Sequence, residues 1–305
     1  MMGFRNNGSH THTPVLQRSK MPNPMQMIET IAEMKEWSEA QHRQGRRVVL
    51  VPTMGFLHQG HLSLVRDGRK RGDRLVVSIF VNPAQFAPEE DFAAYPRDIH
   101  RDRRLLEKEA VDILFHPPVE AIYPEGYQTH IEVAHLSLPL CGAVRPGHFR
   151  GVATVVTKLF NIVSPHVAVF GCKDYQQLQV VRRLVVDLNY AIEIIGHPTV
   201  RETDGLAISS RNAYLEPNER NAAVCLSRSL HLAESLVRQG ERKAVALLGA
   251  VRAEIAKEPL ARLEYASLCD PESLQEVDQV GQQTLLALAV RIGKARLIDN
   301  IIIKP

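Results

Sequence analysis

The sequence predicts a doubly wound α/β domain followed by a smaller α+β domain, and three observations carry that prediction. Short apolar runs alternate with helix-periodic stretches through the first two-thirds of the chain. Those runs are apolar on consecutive residues, as in strands of a parallel sheet covered on both faces. After about residue 200 the order changes to two helices and then three strand-like runs, the pattern of a separate antiparallel layer.

Each element has a local reason. Arg47 to Thr53 (RVVLVPT) is a buried strand, and Gly60 to Lys70 a helix with Leu62, Leu64 and Val65 inward. Leu75 to Val81 (LVVSIFV) is a second strand, Pro96 to Glu109 a polar-faced helix, and Val111 to Phe115 a third strand. Phe149 to Val163 sets Val152, Val155, Val156, Leu159 and Phe160 at helical spacing. A strand over His166 to Gly171 and a helix over Tyr175 to Leu188 follow. Two amphipathic helices, Glu216 to Gln239 and Arg242 to Lys257, precede strands Leu263 to Cys269, Thr284 to Val290 and Ala295 to Ile303. The expected division is a polar leader over 1–24, a Rossmann-like domain over 25–199 and a small α+β lid domain over 200–305. In such sheets ligands sit beyond the carboxyl ends of the strands.

Composition narrows the function classes. With 305 residues, 45% hydrophobic and 23% charged, the chain is of ordinary globular type. A net charge of +3 leaves no polybasic footprint for nucleic acid. Cys141, Cys172, Cys225 and Cys269 are scattered without a CxxC pair, so zinc spacing is absent. No apolar stretch reaches the roughly 20 residues that span a bilayer. The leader lacks the apolar core of a signal peptide, and cytoplasm is the default location.

Five stretches carry candidate chemistry. In VPTMGFLHQGH, a strand gives way to a helix near Gly60, where free backbone N–H groups and the dipole favour phosphate. His58 and His61 add donors, although a surface turn can also carry histidines without function. The glycine-rich dinucleotide fingerprint and the Walker lysine are both missing. In VFGCKDYQQ, Gly171, Lys173 and Asp174 follow another strand. Lys173 offers a point charge for phosphate, while Asp174 is expected chiefly as the helix N-cap, a role compatible with ligand contact. RETDGLAISSRNAYL offers Ser209, Ser210 and the Arg211 fork, a common loop composition by itself. SIFVNPAQF presents the uncharged amides Asn82 and Gln85, with Pro83, Pro88 and Pro96 stiffening a loop that could equally be a plain connection. RPGHFRGV adds Arg145, His148 and Arg150 near a helix start.

Together, and in this order, these blocks resemble the pantoate–β-alanine ligase family, a branch of the nucleotidyltransferases related to class I aminoacyl-tRNA synthetases. PTMGFLHQGH is similar to the family's T-M-G-x-L-H-x-G-H signature, and FVNPAQF, YPRD, RPGHFRGV, FGCKDYQQ and DGLAISSRN match further blocks. The resemblance runs from about Met27 to the end of the sequence. It implies condensation of pantoate with β-alanine through a pantoyl adenylate, consuming ATP and releasing pyrophosphate and AMP. On that resemblance Met54, Gly55, Phe56, Leu57, His58, Gln59, Gly60 and His61 line the ATP site. His58, His61 and Lys173 are then the catalytic set, stabilising charge on the transferring phosphoryl region. Gly171, Cys172, Lys173 and Asp174 form a second ATP segment. Val200 gives a backbone contact to adenine. Ile208, Ser209, Ser210 and Arg211 match a mobile loop that closes over triphosphate.

On the same resemblance Gln85 and Gln177 match the pantoate-binding glutamines, with Asn82 and His148 as nearby contacts, and Gln85 is also the expected neighbour of β-alanine. Magnesium is implied with ATP, with Asp102 as a candidate ligand, and the family implies a homodimer. Cys141, Cys172 and Gln59 stand where the family commonly has Glu. The rival reading is a relative that stops at nucleotidyl transfer. It would want a basic or aromatic nucleotide-binding loop in place of FVNPAQF.

Overall fold

The computed structural model describes residues 24–87, 90 and 92–305. Most of the expected leader and Pro88 therefore lie outside the described residues. The first sheet contains β1 (Gln26–Ile28), β2 (Val48–Thr53), β3 (Arg74–Ile79), β4 (Ile113–Phe115), β5 (Val167–Gly171) and β6 (Glu193–His197). Its order is β1-β4-β3-β2-β5-β6 and every pairing is parallel. Between these strands run α1 (Ile31–Arg43), α2 (Gln59–Arg69), α3 (Ile99–Glu107), the single turns α4 (Val119–Ile122) and α5 (Cys141–Val144), then α6 (His148–Val163) and α7 (Tyr175–Asp187).

Alternation along the strands builds two cores. Val48 and Leu50 of β2, with Val76 of β3 and Ala168 and Phe170 of β5, pack with residues of α1, α6 and α7. Val49 and Val51, with Leu75, Val77, Val167 and Val169, pack with α2 and α3 on the opposite face. Both faces are covered, which is why these strands read as unbroken apolar runs.

The second unit packs α8 (Pro217–Ala223), α9 (Cys225–Arg238) and α10 (Ala244–Ala256) with an antiparallel sheet of β7 (Ala261–Cys269), β8 (Thr284–Ile292) and β9 (Ala295–Ile303). A small cluster joins the units: Cys269, Leu274, Leu285 and Ala287 meet Leu136, Leu140 and Tyr175.

Several expectations need correction. The helix expected over Glu216 to Gln239 is two helices broken at Val224. The helix expected from Pro96 starts at Ile99, because Asp98 caps it by accepting from the Arg101 N–H at 2.9 Å. β1, α1 and β6 have no counterpart among the expected elements. Among the described residues no helix is long and apolar enough to cross a membrane.

Candidate active site

Strand order reverses between β2 and β5, so the turns that follow these two strands lie side by side at the carboxyl end of the sheet. The first turn is tightly wound. Gly55 and Phe56 both adopt positive φ, 82° and 47°, and a Cβ on Gly55 would stand 2.9 Å from Ile79. Behind the turn Asp102, 1% exposed, accepts from the Leu57 N–H at 2.8 Å. Burial raises the Asp102 pKa, against the lowering effect of its bonds to the Leu57 and Phe56 amides.

His58 and His61 cap α2 reciprocally. His58 Nδ1 accepts from the His61 N–H and His61 Nδ1 from the His58 N–H, each at 3.4 Å. Their rings stack with centroids 3.9 Å apart and planes 20° apart. A backbone N–H can only donate, so both Nδ1 atoms are acceptors and each neutral ring carries its proton on Nε2. Burial, then the Lys173 charge, lowers His58 to about 4. Burial, then His58, lowers His61 well below its usual value. The pair is therefore two uncharged N–H donors at neutral pH. Gly60 permits this arrangement, since a Cβ there would lie 2.9 Å from the His58 ring.

The second turn brings up Lys173, whose side chain is 18% exposed, with its Nζ 3.9 Å from Asp174 Oδ1. Asp174 occupies the N-cap position of α7 but makes no side-chain cap bond. The expected capping role is absent, and the half-exposed carboxylate lines the cavity instead. Across the cleft the Ile208 N–H donates to the Val200 carbonyl at 3.0 Å. Ser209 caps the 3-10 turn Ser210–Tyr214 by accepting from the Arg211 N–H. Arg201, at the base of this loop, grips Asp299 of β9 through two bonds of 2.6 and 2.9 Å.

The rest of the cavity lining includes amides and hydrocarbon. Asn82 caps the 3-10 turn Pro83–Gln85, which ends in Gln85, and Gln177 of α7 lines the same cavity. Val152, Val155, Val156 and Leu159 of α6, with Phe80 and Phe170, form an apolar wall. His148 Nδ1 donates to the Gln85 carbonyl at 2.8 Å, and its Nε2 accepts from Arg145 at 3.1 Å. Burial, then Arg145, lowers His148 to about 4. Its nitrogens thus hold neighbouring groups. Arg145 in turn is paired with Glu90 at 2.6 Å.

One cavity gathers Met54, His58, Gly60, His61, Asn82, Gln85, His148, Gly171, Lys173, Asp174, Gln177, Val200, Ile208, Ser209, Ser210 and Arg211. Gly55, Phe56, Leu57, Gln59 and Cys172 are not on its surface. The first three form the turn behind it, Gln59 is exposed, and Cys172 supplies a carbonyl to Asn300. The turn's amides are also less available than a bare helix terminus would leave them. Those of Gly55, Leu57, His58 and His61 bond to side chains. Asp102 lies outside the cavity, so a direct metal contact from this carboxylate does not fit the geometry. Among the described residues no cluster of three His, Cys, Asp or Glu is set to hold a metal. Sequence reasoning missed the apolar wall, because its helical spacing reads the same whether it faces a core or a ligand.

Fold and pocket define a class first: an α/β protein with a donor-rich cleft at the switch point of a parallel sheet. Residues 26–302 match the family model described as pantoate-beta-alanine ligase. The pantothenate synthetase of Geobacter sulfurreducens is 53% identical over 92% of this chain and 99% of its own length. That of Heliobacterium modesticaldum is 55% identical over 92% and 100%. Among solved structures, pantothenate synthetase from Thermus thermophilus superposes with a TM-score of 0.88 at 45% identity, covering 92% of this chain and all of that one. The Francisella tularensis ligase, complexed with beta-gamma ATP and β-alanine, gives 0.74 at 33% identity over 91% and 97%. The chain belongs to the pantoate–β-alanine ligase family and is a ligase.

Proposed function

We propose that this chain joins pantoate to β-alanine in two steps at the described cavity. The pantoate carboxylate attacks the α-phosphorus of ATP, forming pantoyl adenylate as pyrophosphate leaves. The β-alanine amine then attacks the acyl carbon, forming the amide as AMP leaves. The observation that carries this reading is a single cavity lined by two chemically distinct groups of residues. One group is the stacked imidazole pair, Lys173 and the Ser209–Arg211 loop, all donors suited to a triphosphate. The other is Gln85, Gln177 and Asn82 with the apolar side chains of α6, suited to a small branched hydroxy acid.

A carboxylate nucleophile needs no general base at neutral pH, so positioning and charge stabilisation carry the first step. His58 and His61, neutral and protonated on Nε2, donate to phosphate oxygens, and Lys173 supplies positive charge. Among the described residues Asp174 is the only carboxylate lining the cavity. It suits a magnesium ion held mainly by phosphates and water, where the metal would neutralise triphosphate charge. We assign residues 25–199 to substrate binding and 200–305 to a lid, and expect a cytoplasmic homodimer.

Pantoate-dependent exchange of labelled pyrophosphate into ATP, without β-alanine, tests the first step. Exchange in the wild type that falls at least about a hundredfold in Lys173→Ala is expected. Tight ATP binding without exchange would sink the two-step reading.

A further inference from the structure

Gln85 carries an amide, a group that can offer either a donor or an acceptor to a ligand. The surroundings remove that freedom. Asn82 Oδ1 accepts from the Ala84 N–H at 3.3 Å, and its Nδ2 donates to the Gly151 carbonyl at 3.1 Å. Backbone groups have one polarity each, so the orientation of the Asn82 amide is set by chemistry. The Tyr123 hydroxyl lies 2.8 Å from the same Oδ1 and therefore donates to it. Burial pushes the Tyr123 pKa up, so the hydroxyl keeps its proton. Held this way, Asn82 Nδ2 also faces Gln85 Oε1 at 3.0 Å and occupies it. What Gln85 has left is Nε2, 3.0 Å from the sulfur of Met54, a weak acceptor that a ligand oxygen can replace.

Two further features make the chain of bonds rigid. The Gln85 carbonyl is held by His148 and by Arg145 at 3.3 Å. Gly151 lets α6 touch the turn, since a Cβ there would lie 2.1 Å from the Ala84 carbonyl oxygen.

We infer that Tyr123, which does not line the cavity, is a positioning residue that acts through Asn82 to fix Gln85 as a donor toward an oxygen of the hydroxy-acid substrate. The inference rests on the reading of Gln85 as a pantoate contact. Its consequence is selectivity: a donor-only Gln85 favours carboxylate or hydroxyl oxygens and disfavours the ammonium of an amino acid at the same position. Without the Tyr123 hydroxyl, the buried Asn82 oxygen keeps only the longer contact to the Ala84 N–H, so the amide that holds Gln85 is seated less firmly although its backbone partners still set its polarity.

The test is pantoate-dependent pyrophosphate exchange in wild type, Tyr123→Phe, Gln85→Ala and the double variant. Tyr123→Phe keeps the ring and its packing. It is expected to raise the pantoate KM about tenfold, as for one lost buried hydrogen bond, while the ATP KM moves less than about twofold. In the Gln85→Ala background the same change is expected to have no further effect on pantoate. Asn82→Asp, which sets an oxygen against Gln85 Oε1, is expected to exceed the Tyr123→Phe loss. An unchanged pantoate KM in Tyr123→Phe, equal shifts for both substrates, or effects that add in the double variant would overturn the inference. Wild-type protein that performs no pantoate-dependent exchange would remove the substrate reading itself, a different failure.

Discussion

Asn300 of β9 reaches across from the antiparallel sheet and donates its side-chain amide to the carbonyl of Lys173 at 2.8 Å and to that of Cys172 at 3.1 Å. The neighbouring Asp299 holds Arg201 at the base of the Ser209–Arg211 loop. Two consecutive residues of one strand thus tie down two of the segments that line the cavity. Asn300→Ala is expected to lower the exchange rate about tenfold, mostly in kcat, by loosening the Lys173 main chain. Steady-state kinetics with ATP and pantoate varied separately checks this, and an unchanged kcat would refute it.

The histidines predict an acid sensitivity. Folded His58 and His148 titrate near 4 and His61 well below its usual value, whereas the unfolded chain takes up these protons near 6.5. Between about pH 6.5 and 4 the unfolded state binds more protons, so stability falls as pH falls through that window. Each histidine contributes up to about 1.4 kcal/mol per pH unit there. Above 6.5 these groups add no pH dependence. Urea unfolding at pH 7.5, 6 and 5 measures the slope, and His148→Gln should reduce it.

Asp102 separates a structural from a metal-binding role. Asp102→Ala leaves the Leu57 N–H buried without its partner and should cost about 1–3 kcal/mol. In Asp102→Asn an amide oxygen can still accept, so stability should largely return. The magnesium dependence of exchange should match wild type in both variants. A Mg2+ half-saturation point raised tenfold in Asp102→Asn would restore this residue as a metal ligand.

Gly60 predicts an uncoupling of folding from activity. Alanine in the first turn of α2 favours the helix, yet its Cβ would push on the His58 ring from 2.9 Å. Gly60→Ala is expected to lower exchange about a hundredfold through misplaced donors, with melting temperature changed by only a few degrees. Full activity in this variant would show that the ring stack is dispensable.

How much of this was legible from the sequence depended on burial. The central strands β2, β3 and β5 declare themselves because both faces are covered. The edge strands do not. β1 has three residues with one buried, and β6 carries Gly196 and His197 and is at most half-buried. α1 buries little hydrophobic surface beyond Met34, although Thr30 and Glu33 at its start form a readable cap. The break at Val224 has no Gly or Pro to announce it. The HxGH turn and the Lys173 turn were legible as strand-to-helix junctions. That Asp102, 45 residues beyond Leu57, would take up that amide was not. Neither was the Tyr123–Asn82–Gln85 chain, because hydrogen-bond polarity has no periodicity to read.

The clamp from β9 also fixes when the site can mature during synthesis. Asn300 follows Lys173 by 127 residues, so a nascent chain can complete the whole parallel sheet before its clamp exists. Until β9 has emerged from the ribosome and paired with β8, Lys173 has its fold but not its anchor. A chain synthesised past the parallel sheet but not yet through β9 therefore carries the Lys173 turn without the Asn300 bonds that hold its carbonyls.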